Sequence, residues 1–163
     1  MDRQQEIADQ LASMALFSDL ASSQLKAVAD LFDEVAVQDG ERILRRGLSG
    51  SGFYVILDGE ASVVLDDRQI ASLPRGDFFG EVSLLLGESP VADVVAKRPL
   101  RCLVLGPDRF DQFLTTYPRV MYRMLQAQAR RLRQSNEWRS QPTRTPPAVT
   151  LSSWSAAVLE GCS

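Results

Sequence analysis

The spacing of apolar residues changes at Glu34, and this change most restricts the folds that the chain can adopt. Before it, apolar residues recur at helical spacing, as Ile7, Leu11 and Met14 do. From Glu34 the period shortens to about two residues, in short β-rich runs that end at turn residues. These runs are EVAVQ, RILR, FYVIL, EASVVL, QIASL, DVVA and RCLVL. Short strands of this kind, about 8–12 residues apart, predict a closed or sandwiched antiparallel sheet.

Turn residues separate the runs. Asp39-Gly40 and Asp58-Gly59 each lie between two apolar runs, and such pairs predict hairpins because glycine accepts a positive φ at little cost. Asp66-Asp67 is another turn, and turn chemistry explains its paired carboxylates better than acid–base catalysis does.

Helices flank the strand-rich segment on both sides. Ser22 and Ser23 offer N-caps for a second N-terminal helix. After the strands, Pro107 opens the helix DRFDQFLTTY, and Pro118 opens a longer one at roughly 119–138. An apolar stripe on the longer helix predicts either core packing or a dimer seam, and it consists of Met121, Leu125, Ala129 and Leu132. The other faces of that helix are basic, with Arg119, Arg123, Arg130, Arg131, Arg133 and Arg139.

The predicted fold is mainly β, with flanking helices. We expect an antiparallel jelly-roll-like β-roll, or double-stranded β-helix, at about 34–105, and C-terminal helices at about 107–138. Together with the N-terminal helices these form one predicted domain, 1–139. Residues 140–163 are rich in Pro, Ser and Thr, which predicts a flexible tail.

The composition argues against an enzyme. The 163 residues include no histidine, so the commonest general base and a common metal ligand are missing. Cys102 lies in an apolar run and Cys162 lies near the C-terminus, a pattern that fits a reducing cytoplasm and no metal or redox motif. No apolar run approaches the roughly 18 residues of a membrane span. The polar N-terminus argues against a secretory signal, so we expect a cytoplasmic protein.

The net charge of −3 is unevenly distributed. Residues 1–118 carry 19 acidic and 11 basic residues, whereas residues 119–163 carry 2 acidic and 7 basic ones. The basic helix could contact nucleic-acid phosphates, but it lacks interleaved aromatic residues except Trp138. The segment after it is too short to supply a helix-turn-helix. We therefore do not expect DNA binding, and we interpret the arginines as a solvated face or a surface for an acidic partner.

Four segments occur in an order and spacing typical of one family. They are LFSDLASSQLKAVADLF, RRGLSGSGFYVILDGEASVV, FFGEVSLLLGE and PDRFDQFLTTYPRVMYRMLQAQARRLR. In this order they resemble the lead-in helix, the Gly-rich turn with central hairpin, the phosphate-binding cassette and the C-terminal helices of the cyclic nucleotide-binding domain family. That family includes the catabolite activator protein and the regulatory subunits of cyclic-AMP-dependent kinase. The resemblance covers about residues 15–135 and implies a regulatory module.

The resemblance implies a ligand site in the cassette. Its candidate ligand-binding residues are Phe79, Gly80, Glu81, Val82, Ser83, Pro90, Val91 and Ala92. Gly80 frees the backbone for a sharp turn into a short helical segment, whose exposed N–H groups would point toward a phosphate. The resemblance assigns to Glu81 the role of accepting hydrogen bonds from a sugar hydroxyl. From the residues alone, the same stretch also fits a capped turn whose Val and Leu side chains contact the core.

Two positions depart from the family pattern. Pro90 lies where the family has its phosphate-clamping arginine, and Asp93 replaces the usual Thr or Ser. The site therefore loses a cation and gains an anion. A hydrogen bond to a charged group contributes roughly 1.5–3 kcal/mol, so we expect cyclic AMP or cyclic GMP to bind at least about 10- to 100-fold more weakly than in the family.

Three functional hypotheses follow. In the first, the chain is a sensor for a cyclic mononucleotide or another small ligand, with Glu81 facing the pocket. In the second, it is a ligand-free adaptor for an unidentified protein partner, with Val91 or a leucine filling the pocket. In the third, it is a truncated transcriptional regulator of the Crp-Fnr type. Nucleotide binding rescued by a distant arginine and an uncharged or apolar ligand also remain open. We expect signalling through the C-terminal helices, and a homodimer through helix 119–138.

Overall fold

The computed structural model describes residues 2–48 and 52–139, which contain eight strands. The strands are β1 (Asp33–Val37), β2 (Arg42–Leu44), β3 (Phe53–Asp58), β4 (Ala61–Leu65), β5 (Arg68–Leu73), β6 (Phe78–Phe79), β7 (Asp93–Ala96) and β8 (Leu100–Leu105). The helices are α1 (Arg3–Ala12), a 3₁₀ turn (Ala15–Phe17), α2 (Ser22–Leu31), α3 (Glu81–Leu86), α4 (Pro107–Thr116) and α5 (Pro118–Arg139).

The strands pair into two antiparallel sheets of four. One sheet has the order β1-β8-β3-β6, and the other has the order β2-β7-β4-β5. Every pair in both sheets is antiparallel. All successive strands except β4 and β5 therefore lie in different sheets, which is the arrangement of a β-roll. The predicted mainly β, jelly-roll-like fold with flanking helices is confirmed.

The core has two parts because β3 and β8 are buried on both faces. In β3, Phe53, Val55 and Leu57 pack with the helices, whereas Ile56 packs between the two sheets. Alternation of side chains along a strand produces this division. The first sheet is consequently the middle layer, with helices on one side and the second sheet on the other.

Two of the predicted hairpins are wrong. Asp39-Gly40 and Asp58-Gly59 join strands that lie in different sheets, so neither closes a hairpin. Both glycines have a positive φ, as an Asp-Gly turn requires, but a positive φ does not determine which strand pairs with which. Asp66-Asp67 closes the tight hairpin between β4 and β5, with φ of 52° and 61°. Strand β6 was not predicted, because two residues are too short for an alternating pattern.

The observed helix starts agree in part with those predicted from the sequence. Pro107 and Pro118 are the first residues of α4 and α5, as predicted. At α2 the N-cap is Ala21 and not a serine, and the Gln24 side chain accepts the Ala21 N–H at 2.9 Å. That side chain supplies the missing cap from inside the first turn.

The apolar stripe of α5 does not pack in the core, so that part of its interpretation is wrong. Leu125 is 66% exposed, and Met121, Leu132 and Ala129 are also exposed. The buried face carries Val120, Met124 and Arg131 instead. No helix in the described ranges is long and apolar enough to cross a membrane. The predicted tail, 140–163, lies outside the described residues.

Candidate ligand-binding cassette

Gly80 begins the cassette in a backbone conformation that requires glycine. It follows β6 with φ of 91°, in the left-handed region. A Cβ atom at this position would lie 2.1 Å from the carbonyl oxygen of Gly52. The two chain segments therefore approach each other more closely than any side chain permits.

Helix α3 follows Gly80 and extends over Glu81–Leu86, as the sequence predicted for this turn. The hydroxyl of Ser83 donates to the Gly80 carbonyl at 3.1 Å. Gly87, with φ of 67°, ends the helix, and the Glu88 N–H donates to the Ser83 carbonyl at 3.0 Å. These bonds close the two ends of the short helix.

A small pocket lies beside α3. Its walls are Leu44, Gly80, Val82, Ser83, Leu86, Glu88, Ser89, Pro90, Val91, Ala92 and Val94. Its water-accessible space is about 20 Å³, room for about one water molecule. A ligand pocket for a drug-sized molecule is usually at least about 300 Å³. The walls of the pocket beside α3 are mainly apolar, and in this conformation the pocket is too small for a nucleotide.

The structure brings six of the eight predicted site residues to this pocket. They are Gly80, Val82, Ser83, Pro90, Val91 and Ala92. Phe79 is buried between the sheets, where its ring stacks on Tyr54 with centroids 4.8 Å apart. Glu81 is also not among the lining residues, so the expectation that it faces the pocket is wrong.

Glu81 faces α5 instead. Its side chain is fully buried, and Oε1 accepts hydrogen bonds from Gln128 Nε2 and, at 3.0 Å, from Arg131 Nη1. Oε2 is buried and has no hydrogen-bond partner among the described residues. Burial raises the pKa of Glu81 above its usual range, and the positive charge of Arg131 opposes that rise. The glutamate of the cassette is thus bound by α5, the last helix of the described residues.

Arg131 is the residue that sequence reasoning missed. It was assigned to the basic faces of the helix, but only 6% of it is exposed. Its Nη2 lies 3.4 Å from Asp77 Oδ1 and 3.5 Å from the Phe78 carbonyl oxygen, and the guanidinium lies 4.9 Å from the centroid of the Phe78 ring. The sequence did contain one signal. Arg131 lies 11 residues after Val120, so both lie on one helical face, and that face carries an arginine where an apolar residue is normal.

We call this surface the arginine socket: Asp77, Phe78 and Glu81 around the Arg131 guanidinium. Burial raises the pKa of Asp77 as well, against the pull of Arg131. One fully buried carboxyl, that of Glu81, and one partly exposed carboxyl, that of Asp77, therefore share one cation. Such a cluster contributes little net stability, but removing its cation is costly.

Asp93 does not line the pocket, and its charge is already paired. Oδ1 accepts the Arg46 N–H at 2.7 Å, and Oδ2 lies 3.3 Å from Arg42 Nη1. Beside it, the Gly47 N–H donates to the Pro90 carbonyl at 2.9 Å. These contacts tie the segment after β2 to the cassette.

The first half of α5 is held elsewhere. Asp19 forms ion pairs with Arg123 at 2.7 Å and with Arg119 at 3.1 Å. The hydrogen bond from Arg123, with support from Arg119, lowers the pKa of Asp19 to about 2. Val120 and Met124 pack in the core on the same half. The helix therefore has one apolar and ionic anchor at its start and a polar one at Arg131.

Known proteins with similar sequences place this geometry in a family. A family model described as "Cyclic nucleotide-binding domain" matches residues 34–117, just over half of the chain. A cyclic-GMP-dependent protein kinase of Eimeria tenella is 31% identical over 133 residues. That match covers 82% of this chain but 13% of the kinase, so the chain spans a small part of that relative's length.

Solved structures agree in fold. A cyclic nucleotide-binding domain from Methylobacillus flagellatus has a TM-score of 0.72 at 27% identity, with 88% of this chain and 85% of that one covered. The regulatory subunit of a cyclic-AMP-independent protein kinase A from Trypanosoma brucei has a TM-score of 0.66 at 29% identity, with 76% and 47% covered. A variant of that subunit with three substitutions, one of them threonine to arginine, has a structure with cyclic AMP bound in its A site.

Within the part of the chain that the structure describes, no group of three His, Cys, Asp or Glu side chains is placed to hold a metal ion.

The matched segment contains the β-roll, the cassette and α4. The chain belongs to the cyclic nucleotide-binding domain family, and its domain resembles the regulatory domains of cyclic-nucleotide-dependent protein kinases.

Proposed function

We propose that this domain regulates a partner by coupling the occupancy of its cassette to the position of α5. The observation that carries the proposal is the contact of Glu81 with Gln128 and Arg131. The side chain with which the family binds ligand is here also the side chain that holds the last helix. A ligand that takes the hydrogen bonds of Glu81 must therefore compete with α5.

Competition of this kind gives two states. In one, Arg131 occupies the arginine socket and the pocket is closed. In the other, a ligand occupies the cassette and the second half of α5 is released. The ligand shifts the population only by its difference in affinity for the two states, so a small ligand that prefers the open state is sufficient.

We propose that cyclic AMP and cyclic GMP are poor ligands for this cassette. Pro90 provides no cation, and the nearby Arg42 is paired with Asp93. Arg46 is paired with Asp66 on the surface. The cyclic-AMP-independent subunit of Trypanosoma brucei, and the arginine introduced in its cyclic-AMP-bound variant, support this view. An uncharged or apolar ligand fits the apolar walls better.

A ligand-free adaptor is the second candidate function. It is favoured by the pocket of about 20 Å³, whose walls include Val91, Leu86 and Leu44. In this case the fold would present a fixed surface to a protein partner. A truncated transcriptional regulator remains a prediction that depends on residues 140–163, and the cytoplasmic location and the absence of catalysis remain predictions too.

Titration calorimetry with cyclic AMP and cyclic GMP tests the proposal. The wild-type chain should show no binding at micromolar concentrations, and Glu81→Ala serves as the matched control. The double variant Pro90→Arg, Asp93→Thr should gain at least about tenfold in affinity for cyclic AMP, because it restores a cation and removes an anion. Micromolar or tighter binding to the wild-type chain would overturn the ligand preference.

A thermal-shift screen of uncharged small molecules separates the two candidate functions. A sensor should be stabilised by at least one of them, and that shift should disappear in Glu81→Ala. An adaptor should show no shift that depends on Glu81. The screen thus decides whether the cassette has a ligand at all.

A further inference from the structure

The arginine socket has more hydrogen-bonding capacity than its present occupant uses. Gln128 and Arg131 both donate to Oε1 of Glu81, whereas Oε2 is buried without a partner among the described residues. The second guanidinium nitrogen, Nη2, is directed to Asp77 and to the Phe78 carbonyl at the longer distances of 3.4 Å and 3.5 Å. Arg131 therefore makes a one-oxygen contact with a carboxylate that could accept a two-oxygen one.

The walls of the socket select arginine over other cations. A planar guanidinium can donate to both oxygens of a carboxylate and can stack on an aromatic ring, whereas an ammonium can do neither as well. The socket offers both features, since the Phe78 ring lies 4.9 Å from the guanidinium carbon and Glu81 lies beside it. Asp77 adds a second negative charge on the same side.

We infer that the arginine socket is a docking site for an arginine side chain of a partner protein, and that Arg131 fills it as an internal substitute until α5 moves. This inference rests on the proposed release of α5, because the socket is buried while the helix is docked. The partner chemistry follows from charge and shape: two carboxyls, one carbonyl and one ring match an exposed arginine in a peptide segment. The unused Oε2 of Glu81 lets a partner arginine bind more fully than Arg131 does.

The internal occupant is suited to displacement. It is anchored to the socket by one arginine and one glutamine of α5, while the helix is held independently at Asp19, Val120 and Met124. Release of the second half therefore need not undock the first half. A partner arginine would replace one buried cation with another, so neither carboxyl would be left unpaired.

The test uses the full chain with Arg131→Ala, which empties the socket without the need for a cassette ligand. The probe is a short fluorescent peptide with one central arginine, and the control peptide has lysine in its place. By fluorescence polarisation, Arg131→Ala should bind the arginine peptide at least about tenfold more tightly than wild type does. The lysine peptide should bind it at least about tenfold more weakly than the arginine peptide does.

The double variant Arg131→Ala, Glu81→Gln should lose most of this binding, because the carboxylate that receives the guanidinium is gone. Equal binding of the arginine peptide to wild type and to Arg131→Ala would overturn the inference, as would equal binding of the two peptides. Ethylguanidinium should also raise the melting temperature of Arg131→Ala, and ethylammonium should not. If Arg131→Ala does not fold, Arg131→Gln, which keeps part of the aliphatic chain and ends in a neutral amide, is measured in the same way. Because the substitution empties the socket directly, a failure of the cyclic-nucleotide or small-ligand experiments leaves this result interpretable.

Discussion

Gly80 is the residue on which the shape of the cassette depends most. Its left-handed φ of 91° turns the chain from β6 into α3, and its missing side chain lets Gly52 approach. Gly87 also has a positive φ, of 67°, but nothing lies within 4 Å of a Cβ built there. The two glycines therefore separate the cost of backbone conformation from the cost of a steric clash.

Gly80→Ala should destabilise the protein more than Gly87→Ala. The left-handed backbone costs about 1–2 kcal/mol for alanine at either position. At Gly80 the clash with the Gly52 carbonyl must also move backbone, so we expect at least about 2 kcal/mol more. Urea unfolding of the two variants measures the difference. Equal losses of unfolding free energy would contradict the close approach of residues 52 and 80.

Glu81 should make the stability of the domain depend on pH. Burial raises its pKa in the folded state above the unfolded value near 4.5. The folded state then holds its proton more tightly than the unfolded state, so the contribution of Glu81 is most favourable below about pH 4.5 and declines as the pH rises through the raised pKa.

Glu81→Gln should remove that dependence, because an amide does not titrate in this range. Urea unfolding of both proteins at several values between pH 4.5 and pH 7.5 tests the sign. The unfolding free energy of wild type should fall relative to that of Glu81→Gln as the pH rises. A difference that is constant, or that grows in favour of wild type, would contradict a buried and incompletely compensated carboxylate.

Individual residues differed in how well the sequence predicted them. Gly80 and the short helix after it followed from local rules, because the turn and the helix start lie within a few residues. The binding partner of Glu81 did not, because Arg131 is 50 residues away and looked like one more exposed arginine. Burial of a charged side chain depends on tertiary packing, which local periodicity does not contain.

Among the elements, α5 is divided into two halves with different anchors. The first half is held by Val120 and Met124 in the core and by Asp19. The second half is held at the arginine socket through Gln128 and Arg131. The outer face of α5 as a whole leaves large apolar side chains exposed, which is unusual for a single surface helix and marks a candidate interface.

The predicted homodimer belongs to this exposed face. Leu125, at 66% exposure, is the most exposed large apolar side chain among the described residues of this face, so Leu125→Glu should convert a dimer into a monomer because it would bury a charge at the seam. Gln134→Glu, on an exposed position of the same helix, is the matched control and should leave the assembly unchanged. Analytical ultracentrifugation distinguishes the outcomes. A monomeric wild-type chain, or a dimeric Leu125→Glu variant, would contradict this assembly.

Strand positions followed from alternation, but their connections did not. Asp58-Gly59 has the composition of a hairpin turn, yet it carries the chain from one sheet to the other. The reason is visible at Gly59, where a Cβ would lie 2.4 Å from the Pro99 carbonyl oxygen. The glycine permits two chain segments to cross, and the local sequence at such a crossing is the same as at a hairpin turn.

At the scale of the whole molecule, three layers connect the cassette to the last helix. The first sheet is the central layer. The helices cover one of its faces, and the second sheet packs against the other. The small pocket lies between the second sheet and the cassette. Glu81 bridges these parts because Gly80 directs α3 so that one side carries Val82 and Ser83 into the pocket wall while Glu81 reaches α5. Ligand occupancy and helix position can therefore share one side chain.

Amide hydrogen exchange along α5 tests this coupling most directly. In Arg131→Ala, amides at residues 126–134 should exchange at least about tenfold faster than in wild type, because breaking a buried pair costs about 3–5 kcal/mol. Amides at residues 120–124 should keep their protection, because their anchors are intact. Arg130→Ala, at the exposed neighbouring position, is the control and should match wild type throughout. Unchanged protection at residues 126–134 in Arg131→Ala would contradict the claim that the cassette holds α5 through Glu81.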